Sequence, residues 1–166
     1  MTDPTLDIAL GKRELLRHAV ATLAYRSGKT LRGAPAGFSQ FAAAAGTRTP
    51  GQILAHICDL FDWALKLADG VHEYREQPPQ SWEHDTARFF AGLEAFDRRL
   101  GSGTPIGFDA ERLFQGPVAD ALTHVGQIAM LRRMAGAPVK GENYFKAKIA
   151  AGRVGADQAA PVFEFE

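Results

Sequence analysis

The chain has 166 residues, a length that fits one domain and allows a sizeable hydrophobic core. Hydrophobic residues make up 46% and charged residues 23%, which is typical of globular proteins and excludes disorder of the whole chain. Nineteen basic residues balance 19 acidic ones, so the formal net charge is zero. Because such a chain has no overall field to attract nucleic acid or an anionic membrane, we expect neither as a partner.

The apolar segments and the cysteine content favour a cytoplasmic location. Cys58 is the one cysteine, so no intramolecular disulfide can form. No apolar run reaches the ~20 residues that a membrane span needs. Residues 1–4 also lack the basic region and apolar core that begin a signal peptide.

The first predicted helix covers residues 6–26, where apolar side chains recur every three or four positions. Gly28 and Gly33 are expected to end it. Residues 34–48 follow without a clear period. We expect this long connection to wrap across the domain towards the second helix.

The second predicted helix has the clearest signals in the chain. Thr49 offers a capping hydroxyl, and Pro50 suits the first helical position. Gly70 is expected to end the helix. An apolar stripe at helical period lies between them and consists of Ile53, Leu54, Ile57, Leu60, Phe61, Ala64 and Leu65.

The second half of the chain contains two further long helices. Ser81 is the predicted cap of a third helix that ends near Leu100. Residues 102–116 are expected to form a loop, and residues 117–135 to form the fourth helix. A short helix is predicted over residues 142–151.

These elements indicate an all-α protein, because four main helices come with few strand signals. We expect a four-helix bundle that forms a single domain over residues 1–166. The long connection between its first two helices and a short C-terminal helix with a tail complete the prediction.

His56 is the first candidate for chemistry. It lies between Ile53 and Leu60 on the second helix, so its ring is expected to point inward. A buried imidazole needs partners for its nitrogen atoms. A hydrogen bond to a carbonyl group would satisfy it as well as a metal would, so the position alone does not distinguish the two.

Asp120 and His124 are the second candidate. They are four residues apart, so they lie on one face of the fourth helix about one turn apart. Val125 and Ile128 indicate that this face is close to the core. A buried carboxylate is costly unless it is paired or binds a metal. Taken alone, the pair is better explained by a helix-stabilising hydrogen bond at the surface end of the bundle.

Considered together, His56, Asp120 and His124 are more informative. Two imidazoles and one carboxylate from two helices supply three ligands and leave coordination positions open. One divalent ion would satisfy all three buried polar groups at once. The sequence therefore favours a metal site on these residues, and it indicates no site for an organic cofactor.

The residues around these ligands resemble a known family. Residues 49–56 (TPGQILAH) and 124–128 (HVGQI) are similar to segments of the DinB-like (DinB/YfiT-like) superfamily of metal-binding four-helix bundles. In that family one ligand histidine lies in the second helix and two more, four residues apart, lie in the fourth. The resemblance covers about residues 6–150, mainly as helix order and spacing, and implies that His56 and His124 are ligands.

Two positions depart from the family pattern. Asp120 stands where the family usually has its middle histidine, so the site would contain two histidines and one aspartate. Zn or Ni is the expected ion. Because a carboxylate is a harder ligand than an imidazole, it broadens the choice to Mn or Fe as alternatives. Val125 replaces an arginine that often follows the last histidine, so the resemblance implies no charged group there.

The resemblance also implies an activity. Relatives in this superfamily include metal-dependent transferases and isomerases that use low-molecular-weight thiols such as mycothiol or bacillithiol. The expected function is therefore a thiol-dependent S-transferase or isomerase acting on a small electrophile, and these bundles commonly form homodimers. The alternatives are a non-catalytic metal-binding or stress-response protein and a metal-free structural bundle.

Several neighbours of the candidate ligands have roles that the sequence indicates less clearly. Asp59, three residues after His56, is the candidate catalytic proton acceptor, with a solvated carboxylate as the alternative. Trp63 is expected to pack, and Cys58 to be a small buried side chain. Gln127 is expected to hydrogen-bond within the core, and Gly126 to permit close helix packing.

Overall fold

A computed structural model describes residues 4–165, with side chains from residue 7 onward. Residues 1–3, part of the segment from which we expected no signal peptide, lie outside the described residues. The elements in chain order are α1 (Pro4–Leu31), α2 (Pro50–Ala68), α3 (Trp82–Gly101), α4 (Ala110–Leu113) and α5 (Ala119–Met134), followed by the strands β1 (Gly141–Glu142) and β2 (Glu164–Phe165). The all-α class is confirmed, with one small antiparallel sheet in addition.

The long helices enclose one hydrophobic core. α1 packs against α3 and α5, and α2 also packs against α3 and α5. The α1–α2 connection therefore has to cross the domain, as expected, and it contains a single 3-10 turn at Phe38–Gln40. The largest side chains that are fully buried include Phe61, Phe89 and Phe96. None of the helices in the described part of the chain is both long and apolar enough to cross a membrane.

The start of α2 has the predicted local chemistry. The Thr49 side chain accepts a hydrogen bond from the Gln52 backbone N–H, and the Gln52 side chain accepts one from the Thr49 N–H. This reciprocal capping satisfies two N–H groups that a helix end leaves without partners. The helix start is thus specified locally, which places His56 in the second turn of a well-defined helix.

Helix α1 continues to Leu31, beyond the predicted end near residue 26. The guanidinium group of Arg132 on α5 donates to the backbone carbonyls of Thr30, Arg32 and Gly33. Since a helix end leaves its last carbonyls without partners, this distant side chain stabilises the extra turn. It outweighs the cost of Gly28 inside the helix, which is about 1 kcal/mol.

The predicted loop over residues 102–116 is wrong in its second half, because helical structure begins at Ala110. α4 leads through a wide turn of π-helix at Phe114–Val118 directly into α5. Pro117 has no N–H group to donate along a regular helix, and a π-helical turn accommodates such a defect. Burial of Leu113, which is 0% exposed, holds α4 against the core.

The predicted helix over residues 142–151 is also wrong. A 3-10 turn at Tyr144–Lys146 is its only helical part. Glu142 pairs instead with Glu164 in the small sheet. Its buried carboxylate accepts hydrogen bonds from Tyr25 and Lys29 on α1, which fixes this segment in an extended form.

Candidate metal centre

The structure brings the three predicted ligands together between α2 and α5. One donor atom from each of His56, Asp120 and His124 lies within 4.8 Å of the others. His56 Nε2 is 3.5 Å from Asp120 Oδ2, and His124 Nε2 is 3.4 Å from Asp120 Oδ1. The two imidazole rings are nearly perpendicular, with centroids 4.8 Å apart. This geometry directs both Nε2 atoms towards the same carboxylate.

The wide turn before α5 influences which way Asp120 points. The turn ends at Val118, and Asp120 is the second residue of α5. An additional residue in a helical turn shifts all later side chains by about 100° around the axis relative to a regular helix. Asp120 and His124 therefore face α2 in a register that a straight continuation of α4 would not produce.

The cluster lies at the edge of the core and is partly open to solvent. The side chains of His56 and His124 are 20% and 13% exposed, whereas that of Asp120 is 46% exposed. The rings are thus held by packing, while the carboxylate faces outward, so the expectation that Asp120 is buried is wrong. A ligand could approach from the side of Asp120 without any movement of the helices.

Each ring is also held at its second nitrogen. His124 Nδ1 lies 2.8 Å from the amide oxygen of Gln127. Because this oxygen only accepts hydrogen bonds, His124 Nδ1 carries the proton and its Nε2 lone pair is free to bind a metal. Gln127 is exposed, so the expectation that it bonds within the core is wrong.

His56 Nδ1 also has a hydrogen-bond partner, the Tyr74 hydroxyl group, whose oxygen lies 3.0 Å away. Burial raises the pKa of Tyr74, so the hydroxyl keeps its proton at neutral pH. Tyr74 belongs to the connection between α2 and α3 and also meets the ring of Trp63 edge-on. Sequence reasoning missed this residue because the connection has no period that relates it to His56.

Asp59 lies outside the group of donors that could share one ion. Its side chain is 2% exposed, its Oδ1 accepts from Arg88 at 2.6 Å, and its Oδ2 accepts from the Gln77 N–H at 3.0 Å. Arg88 also pairs with Asp62. A role for Asp59 as proton acceptor stays a prediction, and it would require one of these hydrogen bonds to break.

The remaining neighbours are mostly structural. Cys58 is buried, and burial raises the pKa of its thiol to about 12, so it is unreactive at neutral pH. Trp63 is half-buried and stacks on His72. Gly126 is exposed and a Cβ there would meet no atom within 4 Å, so the expected close helix packing at this glycine is wrong.

Two cavities adjoin the cluster. One of about 390 Å³ lies beside Asp120 and is lined by Trp63 and Gly116. The other, of about 170 Å³, lies beside His56 and is lined by Arg48 and Glu76 among others. The trio thus lies beside two spaces of different size.

Comparison with protein-family models, with curated proteins and with solved structures gives no match to this chain.

Proposed function

We propose that this chain is a DinB-like protein that holds one divalent metal ion on His56, Asp120 and His124 and uses it as a thiol-dependent transferase or isomerase. The observation that carries the proposal is the approach of three donor atoms, from two helices, to within 4.8 Å of one another. Two imidazoles and a carboxylate form a ligand set that Zn, Ni, Mn and Fe all accept.

The charges and the hydrogen bonds around the trio support this proposal. Among the described residues, Asp120 forms ion pairs with His56 and His124 and with no lysine or arginine. A cation between the donors would neutralise the carboxylate. The hydrogen bonds that join the two Nδ1 atoms to Tyr74 and Gln127 would orient the rings, an arrangement typical of metal-bound histidines.

The chemistry follows from three protein ligands. A bound divalent ion would act as a Lewis acid that favours the thiolate form of a thiol at neutral pH. His56 and His124 would hold the ion through their oriented rings, the thiol proton would pass to solvent, and the two cavities would receive the thiol and the electrophile. The larger cavity, with Trp63 in its wall, has room for the larger of the two partners.

A second candidate is a non-catalytic metal-binding protein. The observation in its favour is that both oxygen atoms of Asp59, the predicted proton acceptor, already accept hydrogen bonds. A chain that binds the ion tightly but turns over no thiol would fit this function.

Metal analysis tests the proposal directly. The chain purified without chelator and incubated with zinc should retain about one ion per chain by elemental analysis after dialysis. His56→Ala and His124→Ala should each lose it, because two remaining protein ligands bind zinc much more weakly. His18→Ala, which removes an exposed histidine on α1, is the matched control and should retain the ion.

Two outcomes would contradict the proposal. A wild-type chain that retains no ion would leave the trio as a structural hydrogen-bond network. A chain that retains the ion but shows no chelator-sensitive turnover in a screen of thiols and electrophiles would favour the binding protein over the enzyme.

A further inference from the structure

The cavity beside His56 is lined by one positively and one negatively charged side chain. Arg48 precedes the first turn of α2, and Glu76 lies in the connection between α2 and α3. Both are exposed and both line the cavity. Throughout the described residues neither side chain forms a hydrogen bond or an ion pair, and they do not pair with each other.

Two other side chains of this cavity already accept hydrogen bonds. Asp59 is paired with Arg88, and the Gln52 side-chain oxygen accepts the capping hydrogen bond from Thr49. A ligand in the cavity would therefore find one cationic and one anionic group free to bind it. Since His56 is in the same wall, such a ligand would also reach the edge of the candidate metal centre.

The size of the cavity limits what it can hold. Its volume is about 170 Å³, below the roughly 300–1,000 Å³ of sites that enclose drug-sized ligands. A small molecule or one end of a longer molecule fits this space. Opposite charges on a small group describe an amino-acid-like zwitterion, in which a carboxylate and an ammonium group are carried on one carbon.

We infer that this cavity recognises the α-amino carboxylate group of a cysteine-like low-molecular-weight thiol, a group that mycothiol and bacillithiol lack, with Arg48 binding the carboxylate and Glu76 binding the ammonium group. This inference rests on the proposed function, because the sulfur would lie towards the ion held by His56. Arginine binds carboxylates through two parallel N–H groups, which gives geometric specificity. A thiol that carries only one of the two charges would leave the other protein charge without a partner and would bind less well.

Isothermal titration calorimetry on zinc-loaded protein tests the inference with three thiols. L-cysteine has both charged groups, mercaptopropionate has only the carboxylate, and cysteamine has only the ammonium group. Arg48→Gln should weaken binding of L-cysteine and mercaptopropionate about fivefold and leave cysteamine unchanged. Glu76→Gln should weaken L-cysteine and cysteamine by a similar factor and leave mercaptopropionate unchanged.

Two exposed residues elsewhere provide matched controls. Arg133→Gln on α5 and Glu83→Gln on α3 change the net charge in the same way and should leave all three affinities unchanged. Zinc content is measured on every variant, so that a lost affinity is not caused by a lost ion.

Equal affinities of wild type, Arg48→Gln and Glu76→Gln in protein that retains zinc would overturn this inference and leave the proposed function intact. The inference would also be overturned, with the proposed function intact, if the control variants lost as much affinity as the cavity variants. A wild-type chain that retains no zinc would overturn the proposed function and this inference with it.

Discussion

Helix α2 carries two polar side chains three residues apart, and their surroundings differ in kind. Asp59 is buried and meets the guanidinium group of Arg88, so a positive charge of the chain itself compensates the carboxylate. One turn earlier His56 faces Asp120 and His124, where the carboxylate forms ion pairs only with imidazoles as far as the structure describes the chain. The first cluster contains a permanent positive charge, whereas within residues 7–165 the second cluster contains none.

The two clusters contribute differently to the stability of the fold and to the binding of a cation. A buried ion pair with its hydrogen bonds made contributes to stability, and removing one partner leaves a charge without compensation. A half-exposed group of donors contributes little to stability by itself, but it can gain free energy from a cation. Stability and binding can therefore be altered separately, although both involve the same helix.

The largest expected effect is on the buried pair. Arg88→Met keeps the apolar stem but removes the charge that faces Asp59, so the free energy of unfolding in urea should fall by about 3 kcal/mol. Zinc retention should stay at the wild-type level, because Arg88 does not touch the trio. Arg133→Met, at an exposed position on α5, is the control and should change stability by less than about 0.5 kcal/mol. Loss of zinc from a folded Arg88→Met variant would refute the separation of the two clusters.

An intermediate effect is expected when the hydrogen bonds at the Nδ1 atoms of His56 and His124 are removed. Gln127→Ala and Tyr74→Phe each remove the partner of one Nδ1 atom, so zinc affinity should fall about tenfold in a competition titration with a chelating dye. Thr123→Ala is the control on α5, since its hydroxyl donates to the Ala119 carbonyl and contacts neither ring. Unchanged affinity in both ring variants would show that the rings need no support to bind an ion.

The smallest effect tests how open the surface of α5 is. Gly126→Ala should stabilise the protein by about 0.5–1 kcal/mol, because glycine is a poor helix former and a Cβ here meets nothing within 4 Å. Gly51→Ala on α2 is the contrasting variant, since its Cβ would lie 2.9 Å from the Ser39 carbonyl oxygen. Thermal unfolding should show a raised Tm for Gly126→Ala and a lowered Tm for Gly51→Ala. A destabilised Gly126→Ala variant would mean that this face of α5 is covered.

Parts of the fold that depend on local chemistry could be predicted from the sequence. Thr49, Pro50 and Gly70 define α2 through neighbours in the chain, and the apolar stripe between them is regular. The end of α1 could not be predicted, because the side chain that supports it, Arg132, is about 100 residues away. Tertiary contacts likewise replaced the predicted helix at Glu142 with a strand.

In the candidate site, too, the features set by local spacing could be predicted and those set by tertiary contacts could not. The spacing of Asp120 and His124 and the inward direction of His56 were readable from helical period, and the structure brings the three side chains together. Tyr74 was not readable, since it reaches His56 from a connection without periodicity. Arg48 and Glu76 were missed because exposed charges are common, and only their shared cavity singles them out.

The wide turn at Phe114–Val118 gives this cluster a simple way to evolve. Loss of one residue in this turn would restore regular winding and rotate Asp120 and His124 together by about 100°, away from α2, while the buried side chain of Leu113 upstream kept its place. A single-codon deletion could thus uncouple the two helices at the ligand cluster without redesigning the interior. The converse insertion offers a short route by which an inert bundle of this shape could acquire a site.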